Sequence, residues 1–262
     1  MAETVLKIEH LAKRFEGLVA VNDLNIEVER GTIHSLIGPN GSGKSTTINM
    51  INGSFAPTEG SIFFNGENIV GKPVYEIARL GIGRTYQNLK VYPTLTVMEN
   101  LMAGGDYMAK QNIFGFLFDI KNANREERMI REKAEQVLEY TGLTSLKDEI
   151  VKGLPYGRQK LVELGRALML NPKLLLLDEP AAGLNPTERA EFIDTLLKVH
   201  NDGVDLFLIE HNMDVVMNIS NKITVINFGA KIAEGKPNEI QENPEVIKAY
   251  LGDRYRKTKK VD

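Results

Sequence analysis

The run Gly38-Pro39-Asn40-Gly41-Ser42-Gly43-Lys44-Ser45-Thr46 limits this chain more than any other feature. It matches the pattern G-x-x-x-x-G-K-[ST]. It follows the apolar stretch Ile33–Ile37, which reads as a strand. It precedes a segment from Lys44 to about Asn52 that reads as a helix stopped by Gly53. Polyphosphate must be wrapped by backbone N–H groups, so the loop needs glycines that accept unusual φ and close approach. The helix N-terminus adds further donors and a favourable dipole. Lys44 is placed to neutralise β- and γ-phosphate charge, and the Ser45 hydroxyl to ligate Mg²⁺. A strand–loop–helix unit of this kind requires an α/β fold.

A second motif fits the first. Leu174–Leu177 is an apolar strand ending in Asp178-Glu179-Pro180. A carboxylate at such a strand end can hold the P-loop's metal, here Asp178. Glu179 follows it and can polarise an attacking water, a role worth roughly 10²–10⁴-fold. The interval from Lys44 to Asp178 far exceeds the roughly 30 residues of a βαβ unit. Something is therefore inserted, and residues from about Leu89 to Arg166 read as helical. Their charged run Arg125–Lys133 reads as the solvated face of a helix. Before the P-loop, Val5, Ile8, Val19, Val21, Leu24, Ile26 and Val28 lie in short alternating strands, and Ser61–Asn65 is a further strand after a Glu59-Gly60 turn. Beyond Asp178, Thr187–His200 reads as a helix and Asp205–Ile209 as a strand. Lys222–Phe228 and Lys231–Glu234 read as a hairpin around Gly229.

The order of the remaining signals resembles the ATP-binding subunits of ABC transporters along essentially the whole chain. Gln87, in Arg84-Thr85-Tyr86-Gln87-Asn88, stands where that family has its Q-loop. Leu154-Pro155-Tyr156-Gly157-Arg158-Gln159 stands at the family signature, with Pro155, Tyr156 and Arg158 departing from its usual Ser, Gly and Gln. Ala182-Gly183-Leu184-Asn185-Pro186 resembles the D-loop, with Asn185 where Asp is frequent. His211 resembles the switch histidine, followed by Asn212 where Asp is common. Phe15 resembles the aromatic that stacks on adenine. A lone Gln, Phe or His is usually structural, so their placement around two good motifs carries the weight. The Leu-Pro-Tyr-Gly signature, Asp178–Glu188, Ile209-Glu210-His211-Asn212-Met213 and Ile232–Pro237 followed by Ala249-Tyr250-Leu251-Gly252 resemble the larger ATPase of branched-chain amino-acid importers. The segment around Gly105 to Arg131 fits that larger type. Related importers of urea or short amides share much of the pattern.

The resemblance implies a P-loop core with a mixed central sheet, flanking helices and an N-terminal antiparallel β part, formed by residues 1–88 and 167–252. A helical signature subdomain is inserted at 89–166, and 253–262 is a basic tail. It implies ATP and Mg²⁺. Nucleotide would touch Phe15, Gly38 to Thr46, Gln87, Asp178 and His211, and, from a partner's signature, Tyr156, Gly157 and Arg158. Ser45, Gln87 and Asp178 would serve the metal, and Lys44, Gln87, Glu179 and His211 the reaction. It also implies a second ATPase subunit, as a heterodimer or a homodimer, with integral membrane permeases and, indirectly, a solute-binding protein. Tyr92, Leu95, Met98, Leu101 and Met102, within Val91–Met108, are candidates for a docking cleft. The Met-Ala-Glu-Thr start lacks a signal peptide's basic and apolar regions, and no apolar run is long enough to span a bilayer. A place on the cytoplasmic face of the inner membrane, held by partners, is expected. A net charge of −3 argues against nucleic acid as a partner. The absence of cysteine excludes thiolate chemistry and disulfides. The competing classes are a small GTPase or P-loop kinase, a non-transport ABC ATPase of ribosomes or DNA repair, and a regulatory protein that binds ATP without hydrolysing it.

Overall fold

A computed structural model describes residues 3–105 and 120–250, with the side chains of 120–124 left aside. The expected tail at 253–262, Leu251, Gly252, Met108 and much of the Gly105–Arg131 stretch lie outside the described residues.

The N-terminal alternation builds two long strands rather than several short ones. β1 (Thr4–Phe15) and β2 (Leu18–Glu29) form an antiparallel hairpin, with register shifts that let 12 residues bend along each. β4 (Glu59–Phe64) and β5 (Glu67–Asn68) complete a four-stranded sheet in the order β2-β1-β4-β5. Glu59 and Gly60, expected as a turn, are the first residues of β4.

The second sheet runs β10-β9-β3-β8-β7-β6. It comprises β3 (Ile33–Ile37), β6 (Ile82–Arg84), β7 (Leu174–Asp178), β8 (Asp205–Ile209), β9 (Lys222–Asn227) and β10 (Ala230–Gly235). Pairing is parallel from β9 through β6, and β10 returns antiparallel on β9. The continuous apolar runs of β7 and β8 are explained by burial on both faces. Leu174 and Leu176 pack toward the antiparallel sheet, with α1 (Lys44–Ile51) between the layers. Leu175 and Leu177 face the other way, into a core shared with the helices.

Those helices are α3 (Val97–Gly104), α4 (Ile120–Tyr140), α5 (Tyr156–Leu168) and α6 (Pro186–Asn201). The α4 residues Ile130, Ala134, Val137 and Leu138 recur at helical spacing and are buried, while Arg125, Glu127, Arg128 and Arg131 face solvent. Capping boxes start α3 at Thr96 with Glu99, and α6 at Asn185 with Glu188. The subdomain boundary expected between 166 and 167 falls in the last turn of α5. Three short helices, α2 (Val74–Leu80), α7 (Met213–Ile219) and α8 (Pro237–Glu242), pack against the sheets and were not expected from periodicity. At seven residues or fewer, each spans too few turns to display it.

One sequence expectation is corrected by packing. Leu101 is fully buried and Met98 nearly so, within the core under α3. They hold the helical lobe together and cannot line an open cleft. Tyr92 and Ile150 remain exposed. Among the described residues no helix is long and apolar enough to cross a membrane.

Candidate active site

The parallel order β3-β8-β7-β6 brings four C-terminal strand ends to one edge of the sheet. Each carries a motif into the same crevice. β3 leads to the P-loop, β8 to Glu210 and His211, β7 to Asp178 and Glu179, and β6 to Gln87.

The P-loop glycines are explained by contact. A Cβ on Gly38 would collide with the Ile226 carbonyl oxygen, and one on Gly43 with that of Ala20. Gly43 caps α1 at φ 104 with no side-chain acceptor, and no acid stands in the first turn. With no side chain capping it, this helix end suits an anion. Lys44, buried, donates to the carbonyls of Gly38 (2.7 Å) and Pro39 (3.0 Å). Ser42 Oγ is buried with no hydrogen-bond partner. Asn40, Gly41 and Ser45 are exposed, and Gly43 and Thr46 half-buried. This cradle fits polyphosphate. The loop is braced by Gly229, whose N–H donates to the Ser42 carbonyl at 3.0 Å. Phe15 is 42% exposed at the end of β1, edge-on to Phe55 with the Lys13 ammonium 5.1 Å from both rings.

The second half of the site is acidic. Gln87 Nε2 donates to Glu179 Oε2 at 2.9 Å, and His211 Nδ1 lies 3.5 Å from the same oxygen. Glu179 has φ 50, a left-handed backbone that costs free energy for a non-glycine residue. Its N–H donates to the Ile209 carbonyl at 2.8 Å, and its own carbonyl accepts from Lys160 Nζ at 3.3 Å. Asp178 is buried, which raises its carboxyl pKa, while the Arg84 guanidinium 3.3 Å from Oδ2 acts the other way. Asp178 Oδ1 is buried and has no hydrogen-bond partner. An orphaned carboxylate oxygen is costly and is suited to a Mg²⁺-bound water. The residues therefore fit the metal.

The signature residues sit on α5, which begins after Pro155. The Gly157 N–H points to Glu188 Oε1 at 3.3 Å, and Arg158 pairs with Glu191 at 3.2 Å, both on α6. A Cβ on Gly183 would meet the Tyr156 ring, so signature and D-loop pack together. The two asparagine departures are helix caps. Asn185 accepts from the Glu188 N–H, and Asn212 from those of Asp214 and Val215.

Several residues of this region carry no role in the sequence reading. Buried Glu210 accepts the N–H groups of Ala181, His211 and Asn212, fixing the loops that bear Glu179 and His211. Glu163, on α5, accepts from the N–H of Lys90 (2.9 Å) and Tyr86 (3.3 Å), either side of Gln87. Burial raises its pKa, and the two N–H donors oppose this. Arg166 donates to the Lys90 carbonyl and stacks on Tyr92. Burial lowers the Lys160 pKa. Lys160, Glu163 and Arg166 recur every three residues on α5, and that spacing was the available signal.

Comparison with known proteins agrees with this geometry. The family model described as "ABC transporter" matches residues 21–182, and "Branched-chain amino acid ATP-binding cassette transporter" matches residues 230–256. The chain is 42% identical to the high-affinity branched-chain amino acid transport ATP-binding protein BraF of Pseudomonas aeruginosa, covering 97% of this chain and 100% of that one. It is 39% identical to LivG of Escherichia coli K12, a protein of the same description, with the same coverage. Among solved structures, a nucleotide-free ATP-binding cassette from an ABC transporter superposes with TM-score 0.83 at 35% identity, covering 94% of this chain and 98% of that chain. The ADP conformation of an ATP-binding cassette superposes with TM-score 0.83 at 36% identity, covering 95% and 99%. With the P-loop, the acidic strand end and these likenesses together, the chain belongs to the ABC transporter family as one of its ATP-binding cassettes, an ATPase coupled to transport.

Proposed function

We propose that this cassette hydrolyses ATP to drive branched-chain amino-acid import, docked on membrane permeases at the cytoplasmic face of the inner membrane. The solute assignment is supported by the descriptions of relatives that match over nearly the full length. The observation that carries hydrolysis is the meeting of Gln87 and His211 on one oxygen of Glu179.

In this reading Phe15 stacks on the adenine, and the N–H groups of Gly38 to Thr46 wrap the phosphates. Lys44 leaves the loop carbonyls for phosphate oxygens. Ser45, Asp178 and Gln87 would hold Mg²⁺, which when bound neutralises charge on the β- and γ-phosphate oxygens. Glu179 takes a proton from water as the water oxygen bonds to the γ-phosphorus. The bond to the β–γ bridging oxygen breaks, and ADP departs with that electron pair. His211 contacts the γ-phosphate, and Gln87 orients Glu179. A partner cassette contributes its signature, and this chain offers Tyr156, Gly157 and Arg158 in return. The partner is a second, different ATPase; a homodimer is the alternative assembly. A solute-binding protein acts indirectly through the permeases, and nucleic acid has no part. Residues 1–88 and 167–252 serve as the catalytic core and 89–166 as the lobe that meets the membrane subunits.

The test is solute uptake by the intact transporter in a strain lacking its own importers. Labelled leucine should enter with the parent chain and not with Lys44→Ala. Uptake of urea or a short amide in place of leucine overturns the solute assignment. Normal ATP turnover by Lys44→Ala removes the P-loop assignment.

A further inference from the structure

Arg84 closes β6, and its side chain is only 8% exposed. Its guanidinium reaches three elements at once. Nη2 lies 3.3 Å from Asp178 Oδ2 on β7. Nη1 donates to Asn49 Oδ1 at 2.7 Å. Asn49 is on α1, one turn beyond Ser45 and on the same face. The guanidinium carbon stands 4.5 Å from the ring centroid of Tyr86, the residue before Gln87. One cation therefore touches Asp178 itself and the two elements that carry Ser45 and Gln87.

The two oxygens of a carboxylate are chemically equivalent until something engages one of them. Here the guanidinium engages Oδ2, and Oδ1 is left buried without a partner. The planar fork of arginine can hold Asp178 and Asn49 together, which the point charge of a lysine cannot. Stacking on Tyr86 fixes the plane of that fork.

We propose that Arg84 is a positioning residue that turns Asp178 Oδ1 toward the metal and sets the spacing of the Ser45, Asp178 and Gln87 elements around it. This rests on the reading of Asp178 as a metal-holding residue. It assigns Arg84 no contact with nucleotide.

The experiment measures binding of a fluorescent ATP analogue to the purified full chain, first in EDTA and then across a Mg²⁺ titration. The variants are Arg84→Met, Arg84→Lys, Asn49→Ala and Asp178→Asn, each checked for a cooperative thermal unfolding transition. Affinity in EDTA should stay within about twofold of the parent in Arg84→Met, since the P-loop and Lys44 are intact. The Mg²⁺ midpoint should rise about tenfold or more, the usual loss when a residue orienting a ligand is removed. Arg84→Lys should recover part of that shift. Asn49→Ala should raise the midpoint with the charge retained, and it decides the matter if Arg84→Met does not fold. An unchanged midpoint in folded Arg84→Met, or in Asn49→Ala where Arg84→Met fails to fold, overturns the proposal. If Asp178→Asn also leaves the midpoint unmoved, the reading of Asp178 falls and the proposal with it. If Asp178→Asn moves it and Arg84→Met does not, Arg84 alone is dismissed.

Discussion

Glu179 is held in place by its backbone as much as by its side chain. Its N–H and carbonyl are both engaged, by Ile209 and Lys160, while Oε2 gathers Gln87 and His211. The left-handed backbone directs the carboxylate into the crevice, where an extended strand residue would alternate away from Asp178. Glu179→Gln is expected to bind ATP normally and to lose roughly 10²–10⁴-fold in turnover. Phosphate release by the intact transporter measures this, and undiminished turnover would dismiss the general-base role. Phe15→Ala should weaken ATP binding by about 1–3 kcal/mol, the worth of one base–aromatic stack. An unchanged dissociation constant would return Phe15 to the role of packing Phe55. The residues legible in the sequence were those in contiguous motifs, Lys44 and Asp178 above all. Glu210, Glu163 and Lys160 were not, because each binds a backbone group far off in sequence, Ala181, Tyr86 and Lys90, or Glu179. The spacing of Lys160 and Glu163 marks a shared face of α5, but no local pattern names the partners.

The unit that deserves the name of a coupling element is α5. Its Lys160 holds the Glu179 carbonyl, its Glu163 clamps both sides of Gln87, and its Arg166 holds Lys90. The start of α5 at Tyr156 is therefore tied through one helix to Glu179 and to the segment that bears Gln87. Glu163→Leu should lower kcat about tenfold or more, as misplacement of a positioning group does, with KM for ATP little changed. Glu163→Gln keeps an acceptor for the two N–H groups and should restore most of the rate. Steady-state kinetics of the pair is the check: equal losses would mean that charge, not the clamp, matters. Secondary structure was legible where periodicity ran long, as in α4 and α6. It was not where tertiary pairing built the element, as in the hairpin of the 12-residue strands β1 and β2, whose bulges interrupt the alternation.

Across the whole molecule the two sheets enclose α1, and the central strand β3 carries a fully buried histidine. His34 bonds to Thr224 through Nε2 at 2.8 Å, and burial lowers its pKa to about 4 from the ordinary 6.5. The unfolded chain therefore takes up a proton at a higher pH than the folded one. The stability contribution is complete above pH 6.5 and falls away as pH drops toward about 4. Its size is on the order of 3 kcal/mol. Thermal unfolding of the parent should weaken more over that window than unfolding of His34→Gln, and parallel curves would contradict it. The fold class and the insertion were legible from the distance between the P-loop and Asp178. The N-terminal antiparallel part was expected from the family resemblance, but its packing over α1 as a second layer was not, since no local pattern states which face of α1 it covers. The Glu163 clamp has a last consequence, for recombination between relatives. A crossover at the boundary between residues 88 and 89 would take Tyr86 from one parent and Lys90, Glu163 and Arg166 from the other. The smallest exchangeable block that leaves these contacts within one parent runs from Tyr86 to Arg166.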